Sequence, residues 1–339
     1  MDKVNKVFIY IVVTLVVVIL SILLYKSFKL KPYSKNYFYL DTYINVKVYE
    51  RNKKKALEAL DEIDKIYSEY HNLTNKYEPY DNGLYNLNKN GDGIIDYRLY
   101  EIIRYGYLWY DKTDGLLNIA IGNVTDVWKK YRDKGEGVPS INELQSKNIN
   151  ISDVYIEEVT SDNKDNKIDS SVILSNGVTI DLGAFAKGYI TDVVADYLKS
   201  KGINRYIINA GGNVLVGKKY SKDLYKIGIE DPKGEVSIFK IVKGENIAVV
   251  TSGGYNRNYT YNGKTYNHII DPYTLYPKDN MLSVTVIADE SKKADALSTA
   301  LYLMDVEKGK EFVKENDAYA IWVLNDGTVI TSEGIEKYE

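Results

Sequence analysis

No cysteine occurs anywhere in the 339 residues. That excludes a thiol nucleophile, a disulfide framework, cysteine-ligated zinc or iron–sulfur clusters, and a cysteine-linked lipid anchor. Histidine is nearly as scarce, with only His71 and His268, so a multi-histidine metal centre is excluded as well. There are only six prolines and three tryptophans, which excludes proline-rich repeats. No charge of one sign dominates: 44 basic against 47 acidic residues leave a net −3. No whole-chain basic field therefore draws the protein to nucleic acid. What is present is a globular balance, 45% hydrophobic and 27% charged, with 33 tyrosines. The length gives a prior of two units.

One long uncharged run stands apart. Val7 to Tyr25 is broken only by Thr14 and Ser21, with Lys3 and Lys6 before it and Lys26, Lys29 and Lys31 after it. As a helix it spans about 28 Å, close to a hydrocarbon core. No small-residue cleavage site follows it, so residues 1–30 read as an uncleaved signal anchor, one transmembrane helix. A removed signal peptide and a buried core helix are the alternatives. The heavier downstream lysine flank alone favours a cytoplasmic body.

Residues 31–339 read as one body, without a fixed repeat or a clean linker. Tyr43–Glu50 alternates as a half-buried strand; Asn52–Tyr70 and Tyr97–Asp111 read as amphipathic helices. Ser161–Asp169 is a polar loop. Asn176-Gly177, Asn262-Gly263 and Asp326-Gly327 each predict a hairpin turn. Helices are expected at Phe185–Gly202 and Ser291–Met304, the second N-capped by Ser291. Parallel βαβ alternation is not sustained. The fold class is therefore α+β, with mixed and antiparallel sheets and packed helices.

Four segments carry candidate chemistry. Val178–Gly188 runs as a strand through glycines into a helix, a place for an anion or simply a turn. Asp295 and Thr299 lie four apart on one helix face. Their hard oxygens suit Mg²⁺, or form an ordinary polar face. His268 precedes Asp271 in Tyr266-Asn-His-Ile-Ile-Asp-Pro272, as a proton carrier or a structural hydrogen-bond partner. Asn88–Gly93 looks like the start of a calcium loop, but Leu99 occupies the position that needs a glutamate. His71 reads as a surface or capping residue.

These segments, taken in order, resemble the ApbE family of FAD:protein FMN transferases over residues 38 to 330. The resemblance rests on Leu40-Asp-Thr42, Thr113-Asp-Gly115 with Trp128 downstream, and Ile180-Asp-Leu-Gly-Ala-Phe-Ala-Lys-Gly-Tyr189. It continues through Asn209-Ala-Gly-Gly212, Ile227-Gly-Ile-Glu-Asp-Pro232, Thr251-Ser-Gly253, His268-Ile-Ile-Asp-Pro272 and Ala294-Asp-Ala-Leu-Ser-Thr299. The resemblance implies a membrane-tethered enzyme with its catalytic body outside the cytoplasm, against the lysine count. Such an enzyme takes FAD and Mg²⁺, attaches FMN by a phosphoester to a threonine (or serine) of a flavoprotein subunit of a membrane redox complex, and releases AMP. By matching position, Asp295 and Thr299 would bind the metal through side chains, and Ala184 through its carbonyl. Leu40, Leu116, Leu117, Asn118, Asp181, Lys187 and Ile270 would contact FAD. His268 would carry the acceptor proton, and Lys187 would stabilise the breaking pyrophosphate. Where the family commonly has Met-Gly-Thr this chain has Leu40-Asp41-Thr42, and where it has Asp this chain has Asn118. Thr274 is followed by Leu275 instead of glycine, and Lys292 stands where some relatives carry a further acidic ligand. A metal-dependent FAD pyrophosphatase and a non-catalytic FAD-binding protein are the alternatives.

Overall fold

Alternation in the strands builds the two sides of a central sheet. Ala248, Val250, Val286, Ala320 and Trp322 join one buried cluster, while Val249, Ile287 and Ile321 join another. Successive residues of a strand face opposite ways, so both faces of this sheet are covered. The structure is a computed structural model, and it describes residues 8–18, 30–159, 169–255 and 257–339.

A helical stretch at 8–18 (α1) comes first. The strands β1 (Lys31–Tyr39) and β2 (Thr42–Glu50) lead to α2 (Lys53–Thr74), α3 (Leu84–Asn90), β3 (Asp92–Ile95), α4 (Tyr97–Lys112), α5 (Gly122–Lys134) and α6 (Ile141–Gln145). Next come β4 (Val154–Val159), β5 (Asp169–Leu174), α7 (Ala186–Ser200), β6 (Tyr206–Ala210), β7 (Asn213–Val216), β8 (Tyr225–Glu230), β9 (Ile238–Gly244) and β10 (Ile247–Gly253). The chain continues through β11 (Asn258–Tyr261), β12 (Lys264–Asn267), β13 (Met281–Ala288), α8 (Ser291–Leu303), α9 (Val306–Glu315), β14 (Tyr319–Leu324) and β15 (Val329–Thr331).

Eight strands form the main sheet in the order β1-β2-β6-β7-β10-β13-β14-β15. Helices α2, α7 and α8 pack on one face, and the β8–β9 hairpin covers the other. The expectation of an α+β fold holds. The expected mixture of strand directions narrows: among the described residues every paired strand is antiparallel, and the parallel element is the single bridge Ile121↔Thr179.

That bridge corrects one turn. Asn176-Gly177 is a tight turn, but Val178–Ile180 does not fold back onto β5, so no hairpin forms. The Asn262-Gly263 hairpin is as expected, with Tyr261 opposite Lys264 and both turn residues at positive φ. Asp326-Gly327 likewise joins the paired strands β14 and β15. Of the anchor run Val7 to Tyr25, residues 8–18 are helical and their apolar side chains are exposed; the rest lies outside the described residues, as does most of the polar loop Ser161–Asp169. Among the described residues no helix is long and apolar enough to cross a membrane.

Candidate active site

Glycine creates the site by letting two helices touch. A Cβ at Gly188 would lie 2.4 Å from the Ser291 carbonyl oxygen and 2.6 Å from the Asp295 Cβ, closer than atoms can approach. With hydrogen there instead, the first turn of α7 rests directly on the first turns of α8. The Gly188 N–H then donates to Asp295 Oδ2 at 2.7 Å. One turn further along α8, Thr299 Oγ1 lies 3.2 Å from the Ala184 carbonyl oxygen and 3.3 Å from the Ser252 hydroxyl. Asp295, Thr299 and Ala184 are therefore brought together, with Ser252 of the Thr251-Ser-Gly253 motif as a neighbour to which the sequence reading gave no role.

Asp295 is 3% exposed. Burial pushes its carboxyl up from the usual range, against the pull of Lys187, the Gly188 N–H and Asn213. A buried carboxylate held above its ordinary pKa is one that a cation would favour. Among the described residues no three His, Asp or Glu side chains gather as a metal cluster. A metal here would rest on one carboxylate, a hydroxyl and a carbonyl, with water completing its shell. That donor set fits Mg²⁺.

The expected N-cap of α8 is corrected. Glu290 holds the cap position and Ser291 lies inside the helix. The Ser291 hydroxyl instead bonds Asn213 Oδ1 at 2.5 Å. The first N–H groups of α8 are taken by a distant carboxylate, Asp192 of α7.

His268 follows β12 in a loop clamped by Asn267, whose side chain bonds the Lys278 carbonyl and accepts from the Ile269 N–H. The His268 Nδ1 is buried and, among the described residues, has no hydrogen-bond partner. Burial, with Arg257, Lys187 and Arg132 adding positive charge, holds the imidazole down at about 4. Lys187 is thus within electrostatic reach of both His268 and Asp295. Arg257 and Arg132 also act on His268, and sequence reasoning missed both. Arg257 also donates to the Asp41 carbonyl at 3.3 Å, which brings the Leu40–Thr42 turn to the same rim. Leu40 itself is tied to His71, whose Nδ1 accepts from the Leu40 N–H at 3.2 Å. His71 is thus the anchor of that turn. Leu40, Asp41 and Leu275 all have positive φ, so the departures from glycine at Asp41 and Leu275 keep the backbone that glycine favours.

Two other expected contacts are used by the protein itself. Asp181 is held at about 2: burial alone would raise it, but Lys76, the Gly183 N–H and the Thr125 hydroxyl overcome that. Lys76 Nζ lies 3.0 Å from Asp181 and 2.8 Å from Asp126. Asn118 bonds the Ile149 carbonyl and the Ala120 N–H. The Asp181 N–H donates to the Ile119 carbonyl at 2.8 Å, so the Leu116-Leu117-Asn118 stretch runs beside Asp181. Leu117 is buried and Leu116 packs against the core. Ile270 belongs to a small apolar cluster with Trp128 and Leu275. Its bridge to Pro277 is closed by bonds of Ile269 and Asp271, so its own peptide groups face the other way. Asn88, in the segment resembling a calcium loop, instead holds both backbone groups of Ile180.

The model of the ApbE family matches residues 40–322. The chain belongs to the ApbE family. A Klebsiella pneumoniae relative named FAD:protein FMN transferase is 34% identical over 227 residues, 65% of this chain and 66% of its own length. A Buchnera aphidicola relative of the same name is 29% identical, over 88% of this chain and 89% of its own. The ApbE protein of Thermotoga maritima superposes with a TM-score of 0.79 at 27% identity, covering 91% of this chain and 99% of that one. The flavin transferase ApbE of Vibrio cholerae shares the fold, with a TM-score of 0.75 at 23% identity. The Klebsiella, Buchnera and Vibrio relatives are transferases by name, and the α+β antiparallel architecture is that of the two solved structures.

Proposed function

We propose that this ApbE member transfers FMN from FAD to a threonine (or serine) hydroxyl of a flavoprotein subunit of a membrane redox complex, with Mg²⁺, releasing AMP. The observation that carries the reading is the meeting of Asp295, Thr299 and the Ala184 carbonyl beside Lys187 and His268. Asp295, Thr299 and Ala184 would hold the ion. Bound there, Mg²⁺ supplies charge stabilisation to a pyrophosphate as its bond to the AMP oxygen breaks.

The chain's own side chains account for the rest. Lys187, Arg257 and Arg132 all act electrostatically on one imidazole, and such a positive field suits the phosphates of FAD. Once those phosphates neutralise the cations, one cause of the low His268 pKa fades and the imidazole becomes a stronger base. The acceptor oxygen then attacks the FMN phosphorus, its proton passes to the His268 ring, and the oxygen of AMP leaves. On this reading the Val7–Tyr25 run tethers the protein to the cell membrane, with the catalytic body outside.

The test uses the full chain in detergent with FAD, Mg²⁺ and a flavin-free acceptor subunit. The expected outcome is a fluorescent acceptor band that survives denaturation, an equal yield of AMP, and loss of both with EDTA. AMP without a labelled acceptor would mark FAD hydrolysis instead, and bound FAD without AMP would mark a binding protein.

A further inference from the structure

Helices α7 and α8 begin without caps of their own. Neither Phe185 nor Glu290, the residues at the two cap positions, makes a side-chain capping bond. Each helix is capped by the other instead. Asp295 of α8 accepts from the Gly188 N–H in the first turn of α7 at 2.7 Å. Asp192 of α7 accepts from the Ser291 and Lys292 N–H groups, the first of α8, at 3.0 and 2.8 Å. Gly188 and Asp192 lie four apart, so one face of α7 presents both the bare backbone and the carboxylate. The two carboxylates close a ring: α7 through Asp192 to the start of α8, then through Asp295 back to the start of α7.

We infer that Asp192 is a positioning residue for the metal site, fixing the register of α8 on α7 so that Asp295 and Thr299 meet the Ala184 carbonyl. Asp192 lies apart from the donor set itself; its contacts are the backbone of α8 one turn before Asp295. The ring explains why a half-buried carboxylate is kept at a helix–helix seam, where an apolar side chain would pack at less cost. It also explains how a single carboxylate can serve a cation: its oxygen is already aimed by Gly188, and its helix is already locked by Asp192. The metal part of this inference rests on the proposed function, whereas the reciprocal capping does not.

The test compares Asp192→Ala and Asp192→Asn with Asn52→Ala in the full chain. Asn52 caps α2 through its side chain, accepting from the Lys55 N–H, so its loss is a matched control for removal of a helix cap. Two readouts are taken. The first is the Mg²⁺ concentration giving half-maximal turnover and half-maximal rise in melting temperature, beside the FAD dissociation constant in EDTA. The second is amide exchange, without metal, in peptides covering 186–192 and 289–296.

Asp192→Ala is expected to raise the Mg²⁺ midpoint roughly tenfold, the scale on which residues orienting a metal ligand act, with FAD affinity within about twofold. Asp192→Asn, which keeps one acceptor oxygen, should recover part of that loss. Asn52→Ala should lower the melting temperature without moving the midpoint. Exchange should quicken in both peptides of Asp192→Ala, including the α7 start, which Asp192 does not itself cap. An unchanged Mg²⁺ midpoint with faster exchange only in 289–296 would overturn the inference and leave Asp192 an ordinary cap. A wild type indifferent to Mg²⁺ would fail the metal reading, and the exchange of 186–192 would then decide the reciprocal ring alone. Should Asp192→Ala not fold, Asp192→Asn carries both readouts.

Discussion

Two carboxylates sit in this site under opposite conditions. Asp181 is surrounded by donors, with Lys76, Thr125 and the Gly183 N–H on its oxygens, and is held at about 2. Asp295 is more deeply buried, has the Gly188 N–H on one oxygen, and is pushed up by burial. Charge at Asp181 is neutralised inside the fold, whereas charge at Asp295 calls for a partner from outside. Both positions were expected to touch the substrate complex, one as a flavin contact and one as a metal ligand. The contrast separates a residue that shapes the site from one with binding capacity to spare.

The sharpest way to break this contrast is to remove each carboxyl in turn. Asp295→Ala should cut metal-dependent turnover by at least a hundredfold, roughly 3 kcal/mol of transition-state stabilisation, and lower the melting temperature as loss of the α7 cap does. Activity assays with graded Mg²⁺ check this. Turnover unchanged at any Mg²⁺ concentration would take Asp295 out of the metal site.

The partner experiment removes Lys76, leaving Asp181 without its main counter-charge. Breaking one side of a buried pair costs on the order of 3 kcal/mol, so Lys76→Met should lower the urea-unfolding free energy by about that much at neutral pH. The pH dependence has a definite sign. Asp181 has a native pKa below its unfolded value of 3.8, so its stabilisation is present above that value and is lost as pH falls through about 2. The gap between wild type and Lys76→Met should therefore narrow from pH 6 to pH 2. A gap that stays constant would place the damage elsewhere than in this ion pair.

How much of this was legible beforehand follows sequence distance. The pairing of Asp295 with Thr299 was visible because four residues make one helical turn. The strand expected at Tyr43–Glu50 and the Asn262-Gly263 hairpin were visible for similarly local reasons. Lys76 and Asp181 are 105 residues apart, and nothing local marks Lys76 as other than a surface lysine after a helix. Arg132 and Arg257 were hidden in the same way. Ser291 was misread because serine is a good local cap, while Asp192, about a hundred residues earlier, does the capping. One signal was available: Gly188 and Asp192 on one face of a helix mark a place where another backbone comes close. The Asn176-Gly177 turn was misread because the β-prone residues after it bridge to Ile121 instead of folding back.

The smallest expected effect sharpens the cation side of the comparison. With only His71 and His268 in the chain, an imidazole NMR spectrum holds two residues, and a His71→Gln variant assigns them. Native His268 should titrate near 4, below its ordinary 6.5. Between those values the unfolded chain binds a proton that the native protein lacks, so this residue makes stability fall as pH drops from 6.5 towards 4. Burial is the largest cause and Lys187 is one of three cations. Lys187→Met should therefore raise the native value only modestly, by about half a unit or roughly 0.7 kcal/mol. Saturating ADP, whose pyrophosphate would neutralise all three cations at once, should raise it further. A His268 that titrates near 6.5 in the free protein, or that ignores both changes, would remove the cation cluster from around it. The proton-transfer role would then have to be argued without that field.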